Sequence, residues 1–162
     1  MAGISEYERL LVEALLLLNQ PRPPIEPGVG LFIAPAGRES DFVFDAAILP
    51  AMTKNGLNLA AVGKVFDDSS ALSEVCRFVH VAEAIVADLT ELSPSVMYVL
   101  GLAHGLGRCP VLITQQEDAV PFNLRASRCF AYRTSAQSLR ELRDGLERAL
   151  RIFLLASRAT PG

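Results

Sequence analysis

Residues 84–114, AIVADLTELSPSVMYVLGLAHGLGRCPVLIT, decide how this chain folds. Ala84–Ala87 is a short apolar run that reads as a buried strand, and a polar loop opens at Asp88. Ser93 and Pro94 mark the start of a helix of about three turns. Val111–Thr114 is a second buried strand. A strand, a helix and another strand within about thirty residues form a parallel crossover unit. A carboxylate at the carboxyl end of the first strand therefore stands where open α/β sheets bind ligands.

Upstream, Gly30–Ala34 reads as an earlier buried strand closed by Pro35 and Gly37, with a polar loop over 36–41. Phe42–Asn55 has helical spacing and ends at Asn55-Gly56. Pro50 inside it predicts a kink or a restart of the helix. A weaker strand follows over Leu57–Val65, then a polar loop at Asp67–Ser70 and a helix over about 70–82. Downstream, Gln115–Arg125 is polar, Cys129–Tyr132 reads as a last short strand, and Ser135 opens a long helix. Leucines at 139, 142, 146, 150 and 154 give that helix a continuous apolar side.

This alternation predicts a three-layer α/β domain of the flavodoxin-like or Rossmann-like kind. It has a parallel sheet of about five strands, with helices on both faces. Right-handed crossovers align the carboxyl ends of the strands, so four polar loops share one rim. That rim is the expected site for a small molecule.

At the amino end, Ser5 can cap a helix to about Asn19, with Glu8 at the capping-box spacing. Its apolar positions, among them Leu10, Leu11, Leu15, Leu17 and Leu18, exceed one narrow stripe. Four prolines between Pro21 and Pro27 follow as a stiff linker. The expected organisation is residues 1–28 as helix and linker, 29–157 as one α/β domain, and 158–162 as a tail. The two apolar terminal helices lead us to expect a homo-oligomer.

With 162 residues, 51% of them hydrophobic, the chain can bury one core. A net charge of −3 argues against a nucleic-acid partner. The run Leu10–Leu18 is shorter than a membrane span and contains Glu13, so no membrane partner is expected. Neither leader features nor paired cysteines stand out, and a cytoplasmic location follows. Cys76, Cys109 and Cys129 read as small buried hydrophobes, and His104 as a packed, hydrogen-bonded histidine. No zinc spacing, Walker loop or dinucleotide fingerprint occurs, and no cofactor is expected.

Phe-Ile-Ala-Pro-Ala-Gly at 32–37, Ala-Asp-Leu-Thr at 87–90, Ser-Pro-Ser-Val-Met-Tyr-Val-Leu-Gly-Leu-Ala-His-Gly-Leu-Gly-Arg at 93–108 and Pro-Phe-Asn-Leu-Arg at 121–125 occur in this order. Together, over Val29–Tyr132, they resemble the nucleoside 2-deoxyribosyltransferase-like superfamily, especially its bacterial TIR-like nucleotide-binding branch. The resemblance implies a flavodoxin-like fold that binds a nucleoside or nucleotide. Active members attack the anomeric carbon with a glutamate and expel the base.

Carried onto this chain, the resemblance implies Gly37, Asp88, Tyr98 and Arg125 as ligand residues; Ala34 at the end of the first strand, Arg38 on a rim loop, and Ser93 and Ser95 beside a helix N-terminus complete the expected ligand set. Asp88 would be the sugar-hydroxyl ligand. Val99 stands where the family has its nucleophilic glutamate, and a valine can neither form a glycosyl ester nor move a proton. Ser93 and Ser95 replace two asparagines, Arg108 a lysine and Asn123 an aspartate.

The expectation is a catalytically degenerate nucleoside- or nucleotide-binding domain, acting as a sensor or assembly module. One alternative is an N-glycosidase or deoxyribosyltransferase that uses Asp88 or Glu91 as its carboxylate. Another is an oligomeric interaction protein that binds no small molecule.

Overall fold

The computed structural model describes residues 23–35, 37–64, 75, 77–121, 123–124 and 129–159, with the side chains at 38 and 60–64 outside that description. The expected helix over 5–19, the rim loop at 67–70, Ala36, Cys76, Phe122 and Arg125 lie outside the described residues.

Strand β1 spans Glu26–Ala34 and begins earlier than its apolar run suggests. Its first turnless residues are polar or proline, but Glu26 already pairs with Ala82, and Pro27 falls in a register irregularity before Gly30. A proline is tolerated there because the ladder is already interrupted. The linker expected to reach residue 28 thus ends sooner.

Helix α1 (Arg38–Val43) also begins earlier than expected, taking in residues read as loop. Its first four residues, Arg38, Glu39, Ser40 and Asp41, are all polar, so hydrophobic spacing could not reveal it. The chain then widens into a π-helical segment over Phe44–Ile48 before α2 (Leu49–Lys54). Pro50 explains the change: it has no N–H for the Ala46 carbonyl, and its ring crowds the preceding turn. The expected restart at Pro50 takes this form.

Strand β2 (Asn58–Lys64) follows. Residues 75 and 77–81 form the described part of helix α3, which leads into β3 (Ala82–Asp88). Then come α4 (Pro94–Gly105), β4 (Val111–Thr114), β5 (Cys129–Ala131) and α5 (Ala136–Ala159). Ser135 caps α5: its hydroxyl accepts the Ser138 N–H at 3.2 Å, and the Ser138 hydroxyl accepts the Arg133 N–H at 2.9 Å. The helix continues to Ala159, so residues read as the start of a tail belong to it.

The five strands are all parallel, in the order β2-β1-β3-β4-β5. This is the flavodoxin-like arrangement, whose strand order reverses between β1 and β3. All seven residues of β3 are buried, as a central parallel strand covered on both faces requires. Alternate residues feed two apolar layers. Leu31, Ile33, Ile85, Ala87 and Leu112 pack with α3 and α4, while Phe32, Ala34, Val86 and Ile113 pack with α1, α2 and α5. The expected three-layer architecture is the one observed.

Leu139, Leu142, Leu146, Leu150 and Leu154 form the buried side of α5. Gly145 lets this helix approach β5: a Cβ there would lie 3.0 Å from the Phe130 ring. At the opposite end of the sheet from the rim, the buried Glu83 accepts the Gly28 N–H at 2.7 Å and Arg158 Nε–H at 2.6 Å. One carboxylate thus ties the start of β1 to the last turn of α5. Among the described residues, no helix is long and apolar enough to cross a membrane.

Candidate functional site

Asp88 is the last residue of β3 and is only 1% exposed. Its Oδ1 accepts the Thr90 N–H at 2.9 Å and the Thr90 hydroxyl at 2.6 Å. Its Oδ2 accepts the Tyr132 hydroxyl at 2.6 Å. The Asp88–Thr90 pair is an Asx turn, for which Asp-x-Thr after a strand is a suitable sequence.

Burial raises the Asp88 carboxyl above its ordinary range, against the opposing effect of bonds from Thr90 and Tyr132; Glu39 nearby adds to the rise. Burial and the facing Asp88 charge push the Tyr132 phenol well above its usual value. Tyr132 therefore stays protonated and donates. It is neither a base nor a nucleophile at neutral pH.

Gln115, directly after β4, extends the network. Its N–H donates to Thr90 Oγ1 at 3.2 Å, and its side-chain amide donates to Glu39 Oε1 at 2.9 Å and more weakly to Tyr132 Oη at 3.4 Å. The network joins groups following β1, β3, β4 and β5. Tyr132 N–H also donates to the Thr114 carbonyl at 2.9 Å, which fixes the end of β5 against β4.

Beside this network lies a cavity of about 690 Å³ between the segment after β4 and the start of α5. Gln115 and Tyr132 reach its wall, as do Gln116, Ser135, Gln137 and Ser138. Three carboxylates (Glu117, Asp118 and Glu141) and one guanidinium (Arg133) complete the charged lining. The volume lies in the range of small-molecule pockets.

The loop between Asp88 and α4 is strained. Glu91 (φ 64°) and Leu92 (φ 47°) are consecutive left-handed residues without being glycine. Such a conformation costs about 1–2 kcal/mol per residue. Glu91 is exposed. Ser93 takes the N-cap position of α4 without a side-chain capping bond, and Ser95 is half-buried in its first turn.

The other expected site residues sit at the end of β1, at the start of α1 just before Glu39, and on α4. Ala34 is buried in the layer shared with α1 and α5, Gly37 is exposed at the N-cap of α1, and Arg38 is the first residue of α1. Tyr98 is substantially exposed on α4. Val99 is 0% exposed, packed in the apolar layer between α4 and the sheet.

His104, expected to be packed, is exposed near the carboxyl end of α4, whose buried side there is carried by Leu102, Ala103 and Leu106. Cys109 is also exposed and Cys129 half-buried, so neither is the fully buried hydrophobe expected. Among the described residues, no three His, Cys, Asp or Glu side chains group as a metal site would need.

Glu39 and Gln115 belong to loops expected on the rim but are not singled out by the sequence there, and Tyr132 reads only as the end of a strand. Each is brought in by a different strand, and Tyr132 meets Asp88 across 44 positions. Comparison with family models, with curated proteins and with solved structures gives no match.

Proposed function

We propose that this chain is a non-catalytic binding domain for a nucleoside, or a closely similar neutral polyhydroxylated heterocycle, held in the rim cavity beside Tyr132. The observation that carries this reading is the engagement of both Asp88 oxygens by Thr90 and Tyr132. A carboxylate so buried and bonded orients the cavity wall and is not available to attack an anomeric carbon. Val99 adds no carboxylate from α4.

Amide and hydroxyl groups line the cavity, suiting a ligand that both donates and accepts hydrogen bonds. Three carboxylates against one guanidinium disfavour a phosphate there, so a nucleoside fits better than its nucleotide. A sensor or assembly role would use the rim network, which couples an occupied cavity to four strand ends.

The test is a thermal-shift panel of nucleosides and their 5′-monophosphates, with free base followed by chromatography. At a hundred times its dissociation constant a nucleoside should stabilise the fold by ~2.7 kcal/mol, with no base released. No shift with any member would reject the binding reading. Base release would reject the non-catalytic one. Glu91, exposed on the same rim, is the carboxylate that an active glycosidase would have available, and Glu91→Gln would then abolish that release.

A further inference from the structure

The amino ends of the strands, opposite the rim, carry a cavity that the binding site does not use. It measures about 320 Å³ and is lined by Pro23, Ile25, His80, Leu106, Gly107 and Arg108. Three segments meet there: the entry to β1, the end of α3 and the turn between α4 and β4.

That turn is closed by its own backbone. Gly107, at φ 73°, donates its N–H to the His104 carbonyl at 2.9 Å, and the Arg108 N–H donates to the Ala103 carbonyl at 2.8 Å. This is a Schellman ending, which satisfies the last carbonyls of α4 and uses up the backbone donors of the turn. The Arg108 side chain is left to reach β3, where Nη2–H donates to the Ala82 carbonyl.

The guanidinium remains short of acceptors. Arg108 is half-buried, and among the described residues the Ala82 carbonyl is the one acceptor for its side chain, which carries five N–H donors. Glu83, next to Ala82, is already engaged: Arg158 bonds both of its oxygens, and the Gly28 N–H bonds one of them. Burial accordingly pulls Arg108 below its ordinary value, with no carboxylate acting against it and only the neighbouring Cys109 opposing.

A half-buried cation without an anion is costly, and an incoming carboxylate can take two guanidinium N–H bonds side by side. The His80 imidazole, 7% exposed, adds a second polar group to the cavity wall. Pro23, Ile25 and Leu106 make the rest of that wall apolar. One fixed positive charge beside an apolar wall suits a singly charged ligand with a short hydrocarbon body better than a phosphate. The geometry points to a second ligand site, at the amino ends of β1, β3 and β4, that binds a small aliphatic monocarboxylate with its carboxylate on Arg108. Asp88 is at the other end of β3, roughly 20 Å along the strand, so this site is separate from the rim and does not rest on the nucleoside reading.

Butyrate, butyramide and inorganic phosphate are titrated into the isotope-labelled full chain, and backbone amide shifts are followed. Butyrate should shift the amides of Ile25, His80, Gly107 and Arg108 saturably and leave those of Thr90, Gln115 and Tyr132 in place. Butyramide has nearly the same shape without the charge. It should bind about tenfold more weakly, and Arg108→Gln should weaken butyrate about tenfold, as loss of a charge-assisted pair predicts. Ile25→Asp, at an exposed position of the same wall, gives Arg108 a carboxylate from the chain and should weaken butyrate as much.

The proposal is overturned if butyrate gives no saturable shift at these amides, if butyramide binds as well as butyrate, or if phosphate binds more tightly. Parent-like butyrate binding in Arg108→Gln overturns it too. If Arg108→Gln moves the rim amides, a sign of a wider change in the fold, Ile25→Asp and butyramide decide in its place.

Discussion

Tyr132 Oη donates to Asp88 Oδ2 at 2.6 Å, joining the end of β3 to the residue that follows β5 across the intervening strand β4. This bond sets the character of the rim. It fills the outer oxygen of a buried carboxylate and fixes the tyrosine ring at the edge of the cavity.

Tyr132→Phe removes that donor and leaves Asp88 with Thr90 alone. Loss of a hydrogen bond to a charged group should cost about 1.5–3 kcal/mol. Burial holds the folded Asp88 pKa above the ordinary value of 3.8. Between these two values the folded chain binds more protons than the unfolded chain, so this group lowers stability as pH rises through that window. Tyr132→Phe removes a bond that lowers this pKa, which deepens the fall. Urea unfolding should show a larger penalty at pH 7 than at pH 4, and Asp88→Asn should remove this group's contribution to the slope.

At the other end of the sheet the sign is opposite. The Arg158 guanidinium holds the Glu83 carboxyl below its ordinary value of 4.5, against the opposing effect of burial. This contribution is present above that value and is lost as pH falls through the folded pKa. Arg158→Gln should lower the urea midpoint near neutral pH, and the difference from the parent should close on acidification. A difference that persists unchanged in acid would mean that the bond to Glu83 is not its source.

Val99→Glu restores the residue type that the resembled family uses for attack, but at a position sealed in an apolar layer. A carboxylate there has no partner from the sheet, and the expected loss is about 3 kcal/mol or more. The variant should melt earlier than the parent and release no base from any nucleoside. A stable variant that cleaves nucleosides would show that α4 faces the site.

Glu91 adopts a left-handed conformation with its side chain in solvent. Glu91→Gly should relieve about 1 kcal/mol of strain, offset in part by the greater freedom of glycine in the unfolded chain. Denaturant unfolding should show a small net stabilisation. A clear loss would mean that the glutamate side chain holds the loop.

The layers were legible in the sequence because β1, β3 and β4 are apolar runs covered on both faces. Pro50 announced the irregular helix, while the polar first turn of α1 hid its start. Asp88 could be singled out at a strand end, and Asp-Leu-Thr signalled its turn. Its bond to Tyr132 left no local trace. Glu39, Gln115 and Tyr132 meet only after strand order has placed four chain ends side by side.

Calorimetric titration of a nucleoside and its 5′-monophosphate into the parent and Gln115→Ala tests the binding claim most directly. Saturable heat with the nucleoside, weaker heat with the monophosphate and about tenfold weaker nucleoside binding in Gln115→Ala is the predicted result, the loss matching one hydrogen bond of about 1.4 kcal/mol. No heat with the nucleoside, or a preference for the monophosphate that survives Gln115→Ala, would contradict it.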